Sequence, residues 1–269
     1  MQLKPFFDSN PLFRYEEFAE YMRNRGVTRP ATWKQELSYH HKVGHLLNIR
    51  KSLYAVKPTH DEAWIDPYLI AAKATKDAII GYHTALELHG IAYTTFNEFQ
   101  FITKKLTRSF VCENQRFRPI YAPKVLIAQN KTEICVDVVK RERVPIKLTN
   151  IERTIVDILN RPDLGGGWEE IWRSFDNLTK LNLDDLVDYA LLLNNSTVIA
   201  KVGFFLEQRP SHLKADDFYI EKLLRYIPKK PHYMERNKRR GGKYMEKWRL
   251  YVPDEILERK WDEPNVENI

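Results

Sequence analysis

The side chains best suited to chemistry in this chain are polar and basic residues at helical spacing between residues 28 and 42. At 100° per residue, Gln35, Ser38, Tyr39 and Lys42 share one side of a helix. Side chains that donate and accept hydrogen bonds, with basic neighbours, suit base edges and phosphates in a major groove. The residues predicted to contact double-stranded DNA in this segment are Thr28, Arg29, Lys34, Gln35, Ser38, Tyr39 and Lys42.

A helix is needed to place these residues on one side, and the local sequence indicates where this helix begins and ends. Trp33, Leu37, His40 and Val43 recur at i, i+4, i+7 and i+10, which predicts a core-facing stripe. Thr28 or Arg29 is expected at the N-cap with Pro30 in the first turn, where its missing N–H costs nothing. Gly44 is the residue type that ends helices in a left-handed conformation.

A hairpin is predicted directly after this helix. Leu47 and Ile49 alternate with polar neighbours, and a turn at residues 50–52 leads to the apolar residues 53–56. The turn would carry Arg50 and Lys51 to phosphate or the minor groove. With a supporting helix from Tyr15 to Arg25, the pattern predicts a winged helix-turn-helix. The alternative is a small helical subdomain with a solvated basic face.

The length of 269 residues accommodates two domains, predicted at residues 1–57 and 58–269. Strand patterns are grouped between residues 99 and 148, Val125 to Ala128 among them, and helical patterns follow from Ile151. This order predicts an α+β second domain with mainly antiparallel strands and then a helical segment. No stretch has the roughly 20 apolar residues of a membrane span and no signal peptide is evident, so a cytoplasmic protein without a membrane partner is expected.

The net charge of +7 is unevenly distributed. Residues 1–57 hold ten Lys/Arg against five Asp/Glu, and residues 225–249 hold ten against two. Separated basic regions fit an extended anion such as nucleic acid, although Lys/Arg-rich surface is also common on proteins that bind none. The second contact surface predicted from this run comprises Arg236, Lys238, Arg239, Arg240 and Lys243.

Patterns typical of enzymes, cofactors and metals are weak. The glycines at 165–167 lack the Lys-Ser or Lys-Thr of a phosphate loop and indicate a connector. His83 and His89 are six apart, which puts them on different helix faces, and Asp137 with Lys140 points to opposite faces of a strand. Cys112 and Cys135 are interpreted as buried, reduced thiols on strands. We therefore expect a binding protein without catalytic residues, cofactor or metal.

Three blocks along the chain resemble the antitoxins of AbiE-type toxin–antitoxin systems, the AbiEi family. The first runs from Leu37-Ser38-Tyr39-His40 through Gly44-His45-Leu46-Leu47 to Leu53-Tyr54-Ala55-Val56. The second is Tyr82-His83-Thr84-Ala85-Leu86-Glu87-Leu88-His89-Gly90. The third is Ile151-Glu152-Arg153-Thr154-Ile155-Val156-Asp157, continuing through Arg161-Pro162 to Gly165-Gly166-Gly167-Trp168-Glu169-Glu170. They occur in the family's order over about 130 residues.

The resemblance implies an N-terminal winged helix-turn-helix and a C-terminal antitoxin domain. It also implies repression of the protein's own operon through inverted repeats in the promoter, and opposition to a nucleotidyltransferase-like toxin, directly or indirectly, in a role tied to phage defence. The second basic run would then contact either nucleic acid or the toxin. Many relatives have glycine where Ser52 stands, so this wing tip is expected to be less tightly turned or to bind differently.

Several points stay open at the sequence level. One helix-turn-helix reads a half-site, so palindromic DNA requires two copies. Cooperative loading of monomers is preferred because the chain has no coiled-coil segment. The alternative functions are a winged regulator whose C-terminal domain senses a ligand or partner unrelated to a toxin, and a nucleic-acid-processing enzyme using Asp137, Lys140 and Glu133.

Overall fold

The computed structural model describes residues 3–57, 65–142, 144–209, 213, 215–235, 242–259 and 261. The protein is a mixed α+β structure, and the described residues form three sheets. It divides into two compact units that are not contiguous in sequence: unit 1 is Met1–Ile80, Asn97–Tyr121 and Val138–Lys147, and unit 2 is Gly81–Phe96, Ala122–Asp137 and Leu148–Ile269. The predicted boundary after residue 57 adjoins residues 58–64, outside the described residues, and stays a prediction.

The N-terminal part of unit 1 packs helices against a three-stranded sheet of order β1-β3-β2. Aromatic side chains from several of these elements, Phe6, Phe13, Phe18 and Trp33, share one apolar core. The elements, numbered along the chain, are α1 (Lys4–Ser9), β1 (Leu12–Arg14), α2 (Tyr15–Asn24), α3 (Pro30–Lys42), β2 (Leu46–Arg50), β3 (Leu53–Val56) and α4 (Pro67–Lys73).

A six-stranded sheet of order β6-β7-β5-β4-β9-β8 completes unit 1, apart from the first residues of β8 and the last of β9. Its strands are β4 (Ile79–Ile80), β5 (Glu98–Thr103), β6 (Phe110–Cys112), β7 (Gln115–Tyr121), β8 (Val136–Arg141) and β9 (Val144–Thr149). The pairing of β5 with β7 is an exception to the expected antiparallel arrangement, because these two strands run parallel. The short strand β6 lies at the edge of the sheet and pairs antiparallel with β7. Strand β7 lies between β6 and β5 and runs in the same direction as β5.

Unit 2 is largely helical and is centred on α7 (Ile151–Asn160), in which residues 153–159 are all buried. The other helices are α5 (Tyr82–Leu88), α6 (Lys124–Ala128), α8 (Trp168–Asp176), α9 (Leu183–Leu192), α10 (Ser196–Glu207), α11 (Asp217–Leu224) and α12 (Asp254–Glu258). A small sheet of order β10-β12-β11 is formed by β10 (His232–Tyr233), β11 (Lys243–Met245) and β12 (Leu250–Val252). Helices α5, α9 and α10 contact α7, so this helix forms the core of the unit.

Three local predictions need correction. Residues 124–128 form helix α6 rather than a strand, because Pro123 opens a helical turn and only Leu126 is buried. Val43 is exposed: α3 ends at Lys42, and ten residues along a helix turn the side chain about 80° away from that of Trp33. Cys112 and Cys135 are half-buried rather than buried, and both are free thiols. Among the described helices, none is long and apolar enough to cross a membrane.

Candidate nucleic-acid interface

Helix α3 is anchored through one face to the aromatic core of unit 1. Trp33 and Leu37 are buried in this core, and the Trp33 indole Nε1 donates to the Val27 carbonyl at 2.8 Å. Gly26, at φ +78°, lets the chain leave α2 in a tight turn that glycine adopts without strain. Arg29 is the N-cap and Pro30 the first helical residue, as predicted. The helix is therefore held rigidly from within, and its opposite face is turned outward.

The predicted contact residues of α3 lie on this outward face. The exposed fraction of Tyr39 is 57%, although the side chain is large and aromatic, and its ring packs edge-on against His40 at 5.3 Å. The residues that the structure leaves exposed are Thr28, Arg29, Lys34, Gln35, Ser38, Tyr39 and Lys42. The arrangement allows all seven to reach a partner without rearrangement of the fold.

A shallow groove joins α3 to the β2–β3 hairpin. It has a volume of about 160 Å³, and its polar lining includes Lys34, Ser38 and His41 from the helix and Asn48 from β2. His41 is fixed on the rim by a contact of 3.1 Å between its Nδ1 and the Leu46 carbonyl oxygen. The helix face and the hairpin therefore form one continuous polar surface.

The hairpin turn is fixed by the backbone. Ser52 has φ +65°, a left-handed conformation that glycine favours and serine adopts at a cost. Its carbonyl accepts a hydrogen bond of 2.9 Å from the Tyr15 backbone N–H, which ties the turn to the start of α2. Lys51 at the tip is exposed. The turn thus holds serine in a backbone conformation that glycine favours, and the expectation of a looser turn or of different binding stays a prediction.

Arg50 does not point outward as predicted. Its guanidinium lies over the Phe110 ring at 4.6 Å, and its Nη2 donates to Thr107 Oγ1 at 3.0 Å. Burial, and to a lesser extent the neighbouring Arg14, lowers the pKa of the group. A register irregularity between Asn48 and Arg50 distorts the strand at this point. Arg50 therefore joins the hairpin to the segment between β5 and β6, so its role as a free phosphate contact is corrected.

The second predicted contact surface can be followed at only one residue. Arg236, Lys238, Arg239 and Arg240 lie outside the described residues. Lys243 is exposed on β11, where it is paired in register with Val252. Lys243 belongs to unit 2, whereas the α3 face belongs to unit 1.

Sequence reasoning missed two buried polar clusters in unit 2. In the first, Arg153 and Asp157 form a fully buried ion pair, with Arg153 Nε 3.3 Å from Asp157 Oδ2. Arg153 also donates to the carbonyls of Thr132 and Ile134, at 2.8 and 2.7 Å. Burial raises the pKa of Tyr189 and the Asp157 carboxylate raises it further, so the hydroxyl stays protonated and donates to Asp157 at 2.8 Å. The cluster ties α7 and α9 to residues 132–134.

The second cluster surrounds His83, which is completely buried. Its Nε2 lies 3.0 Å from Glu170 Oε1 and its Nδ1 lies 3.2 Å from Glu87 Oε1, while the Phe96 ring stacks on the imidazole at 3.8 Å. Glu170 also accepts hydrogen bonds from the backbone and hydroxyl of Thr94, at 3.0 and 2.8 Å. No group of three or more His, Cys, Asp or Glu in the described parts of the chain is arranged to hold a metal ion.

The pKa of Glu170 reports on this cluster. Burial acts to raise the pKa, but the hydrogen bonds from His83 and Thr94 outweigh it, so the pKa lies below its usual range. Glu170 is therefore stabilised as a carboxylate that links α8 to α5 and to residues 93–96.

The blocks that carried the family resemblance in unit 2 coincide with these clusters. The block starting at Tyr82 supplies His83 and Glu87, and the block starting at Ile151 supplies Arg153, Asp157 and, at its end, Glu170. Gly166 has φ +87°, and a Cβ there would lie 2.7 Å from the Phe96 ring. The signal available in the sequence was the presence of polar residues, such as Arg153 and Asp157, inside an otherwise apolar helix.

By its fold, this chain is a mixed α+β protein whose outward polar helix adjoins a β-hairpin. It is similar to the structure titled "Crystal structure of RV2827C protein from Mycobacterium tuberculosis", with a TM-score of 0.55 and 14% sequence identity. The similarity covers 94% of this chain and 90% of that one, and so describes nearly the whole fold. No family profile matches the sequence. No curated protein matches it either.

Proposed function

We propose that the protein binds double-stranded DNA in a sequence-specific manner through α3 and the β2–β3 hairpin, which act as a winged helix-turn-helix. The observation that carries the proposal is the outward face of α3, where Gln35, Ser38, Tyr39 and Lys42 are exposed although the helix is anchored by Trp33. A rigid helix presenting hydrogen-bonding and basic groups suits insertion into a major groove. The local excess of basic residues supports an anionic partner.

Two substitutions on this face separate phosphate contact from base reading. Lys42→Ala should weaken binding to all duplexes and lower the slope of log K against log[salt] by about 0.9 for one lost phosphate contact. Gln35→Ala should weaken binding to the specific site alone, by about 1–3 kcal/mol, because its hydrogen bonds to a base edge are lost. Lys180→Ala, which removes an exposed lysine from unit 2, is the charge control. Equal losses on specific and random DNA would reassign Gln35 to the backbone.

We further propose that the protein represses its own operon and counteracts a nucleotidyltransferase-like toxin, with unit 2 serving the antitoxin role. The support is the sequence resemblance, whose second and third blocks build the buried framework of unit 2. According to this proposal, the protein acts by binding and not by catalysis.

Co-expression with the product of an adjacent nucleotidyltransferase-like gene tests the antitoxin role. The full chain should restore growth of cells that express the toxin, and so should the Lys42→Ala variant, because neutralisation does not need DNA contact. Failure of the wild-type chain to restore growth, or the lack of such a neighbouring gene, would favour a regulator whose second unit serves another partner.

A further inference from the structure

The segment that connects β5 to β6, residues 104–109, is held firmly at its beginning. The backbone N–H of Lys104 donates to Asp77 Oδ2 at 2.8 Å, and Thr103 Oγ1 donates to Asp77 Oδ1 at 2.9 Å. The backbone N–H of Lys105 in turn donates to Thr103 Oγ1 at 3.1 Å. Burial acts to raise the pKa of Asp77, but the hydrogen bonds that its carboxylate accepts from Lys104 and Thr103 outweigh this effect. The pKa is therefore lowered, and the carboxylate stays charged near neutral pH.

The same segment is attached to the hairpin at its far end. Arg50, at the end of β2, reaches across to Thr107 and Phe110 through the hydrogen bond of 3.0 Å and the ring contact of 4.6 Å. Both partners belong to unit 1, as does the hairpin. The β2–β3 hairpin and residues 104–109 therefore lie next to one another in unit 1.

The side chains of this segment face outward and are mostly basic. Lys104, Lys105 and Arg108 are exposed, and Leu106 between them is 91% exposed. Within the described part of the chain, none of the three basic side chains forms an ion pair. Three exposed cations without ion-pair partners on one short, anchored segment concentrate positive charge at this surface, which suits an anionic partner.

We propose that residues 104–109 form a second DNA-contacting loop beside the hairpin, in which Lys104, Lys105 and Arg108 bind backbone phosphates of the duplex that α3 reads. The inference rests on the proposed DNA binding and extends its site to a loop more than fifty residues beyond the helix. Arg50 positions this loop through Thr107 and Phe110, which explains why the arginine is turned inward. Leu106 would then lie against the sugar faces at the groove edge.

Salt-titrated binding of the full chain to the DNA upstream of its gene tests the loop. The variant Lys104→Ala/Lys105→Ala/Arg108→Ala should bind at least about tenfold more weakly at 0.1 M salt, with a slope lowered by about 0.9 per lost phosphate contact. The control Lys124→Ala/Lys131→Ala/Lys180→Ala removes the same charge from exposed positions of unit 2 and should bind like the wild type. Equal urea midpoints would show that each variant is folded.

The outcomes separate the loop from the helix. If Lys42→Ala weakens binding while the loop variant keeps the wild-type affinity and slope, the loop is not a contact and the proposed function stands. If the loop variant alone weakens binding, the loop is supported and the role of α3 fails. If the wild type binds upstream and random DNA equally weakly and without salt dependence, both proposals are overturned.

Discussion

At the scale of single residues, the adjacent side chains Arg50 and Lys51 have different roles. Both were expected at phosphates, yet only Lys51 is exposed, because sequence spacing does not reveal the Phe110 ring and the Thr107 hydroxyl that take up Arg50. Arg50→Ala should lower the free energy of unfolding by about 1–2 kcal/mol through loss of the ring contact and the hydrogen bond. Lys51→Ala should leave the free energy of unfolding unchanged, but it should weaken DNA binding and make its salt dependence shallower by about 0.9.

Urea unfolding and salt-titrated DNA binding of the two variants check this division. If Arg50→Ala is as stable as the wild type, the inward contacts of Arg50 do not contribute to the free energy of unfolding. A phosphate contact by Arg50 would then be the better interpretation.

The buried ion pair of Arg153 and Asp157 gives a second prediction at this scale. Asp157→Asn leaves the guanidinium buried without its counter-charge, which should lower the free energy of unfolding by about 3–5 kcal/mol. Asp163→Asn makes the same chemical change in the exposed pair with Arg161 and should cost about 1 kcal/mol at most. Comparable unfolding free energies for the two variants would contradict the structural role assigned to the cluster.

At the scale of elements, the hairpin turn depends on the left-handed conformation of Ser52. Ser52→Val places a β-branched side chain at φ +65° and should destabilise unit 1 by about 1–2 kcal/mol, whereas Ser52→Gly should be neutral or stabilising. Because the turn is tied to Tyr15, the valine variant should also bind DNA more weakly. Thermal unfolding of both variants measures the difference, and a valine variant as stable as the wild type would show that the turn is not strained.

The connection of α8 to residues 93–96 through Glu170 gives a pH-dependent prediction. The folded pKa of Glu170 is depressed, so its contribution to stability is present above the unfolded pKa of about 4.3 and is lost as pH falls through the lower folded value. Glu170→Gln should therefore flatten the fall in stability as the pH drops below the unfolded pKa. Glu169→Gln, on the exposed face of the same helix, is the matched control and should keep the wild-type profile.

The same elements show which parts of the fold can be predicted from the sequence. Helices α3 and α7 and the hairpin were predicted closely, because their apolar spacing and the stop at Gly44 are local signals. The assignment of Val125 to Ala128 to a strand is wrong, since four apolar residues fit a helical turn as well as a strand. The parallel pairing of β5 with β7 depends on the tertiary position that β7 takes in the sheet. No local sequence pattern predicts that position.

At the scale of the whole molecule, each of the two compact units is built from three separate stretches of the chain. The exposure of Lys34, Gln35, Ser38, Tyr39 and Lys42 follows from helical spacing, which separates an inner from an outer face of α3. The loop at 104–109 was not found, because its place beside the hairpin depends on a tertiary contact made by Arg50.

A whole-molecule prediction concerns stoichiometry. One helix-turn-helix contacts a half-site, so an inverted repeat should bind two copies of the chain. We expect sedimentation to show a monomer without DNA and a complex of two chains on the intact repeat, but one chain on a single half-site. A stable dimer without DNA would contradict cooperative loading of monomers.

The most direct test of the central claim, that α3 reads specific DNA, is the equilibrium binding of the full chain to the DNA upstream of its gene and to a random duplex, across a salt series. The account predicts binding to the upstream DNA about 10³-fold or more tighter than to the random duplex. Lys34→Ala/Lys42→Ala should reduce affinity for both, and Gln35→Ala should reduce only the difference. Equal affinity of the wild type for the two duplexes would contradict the account.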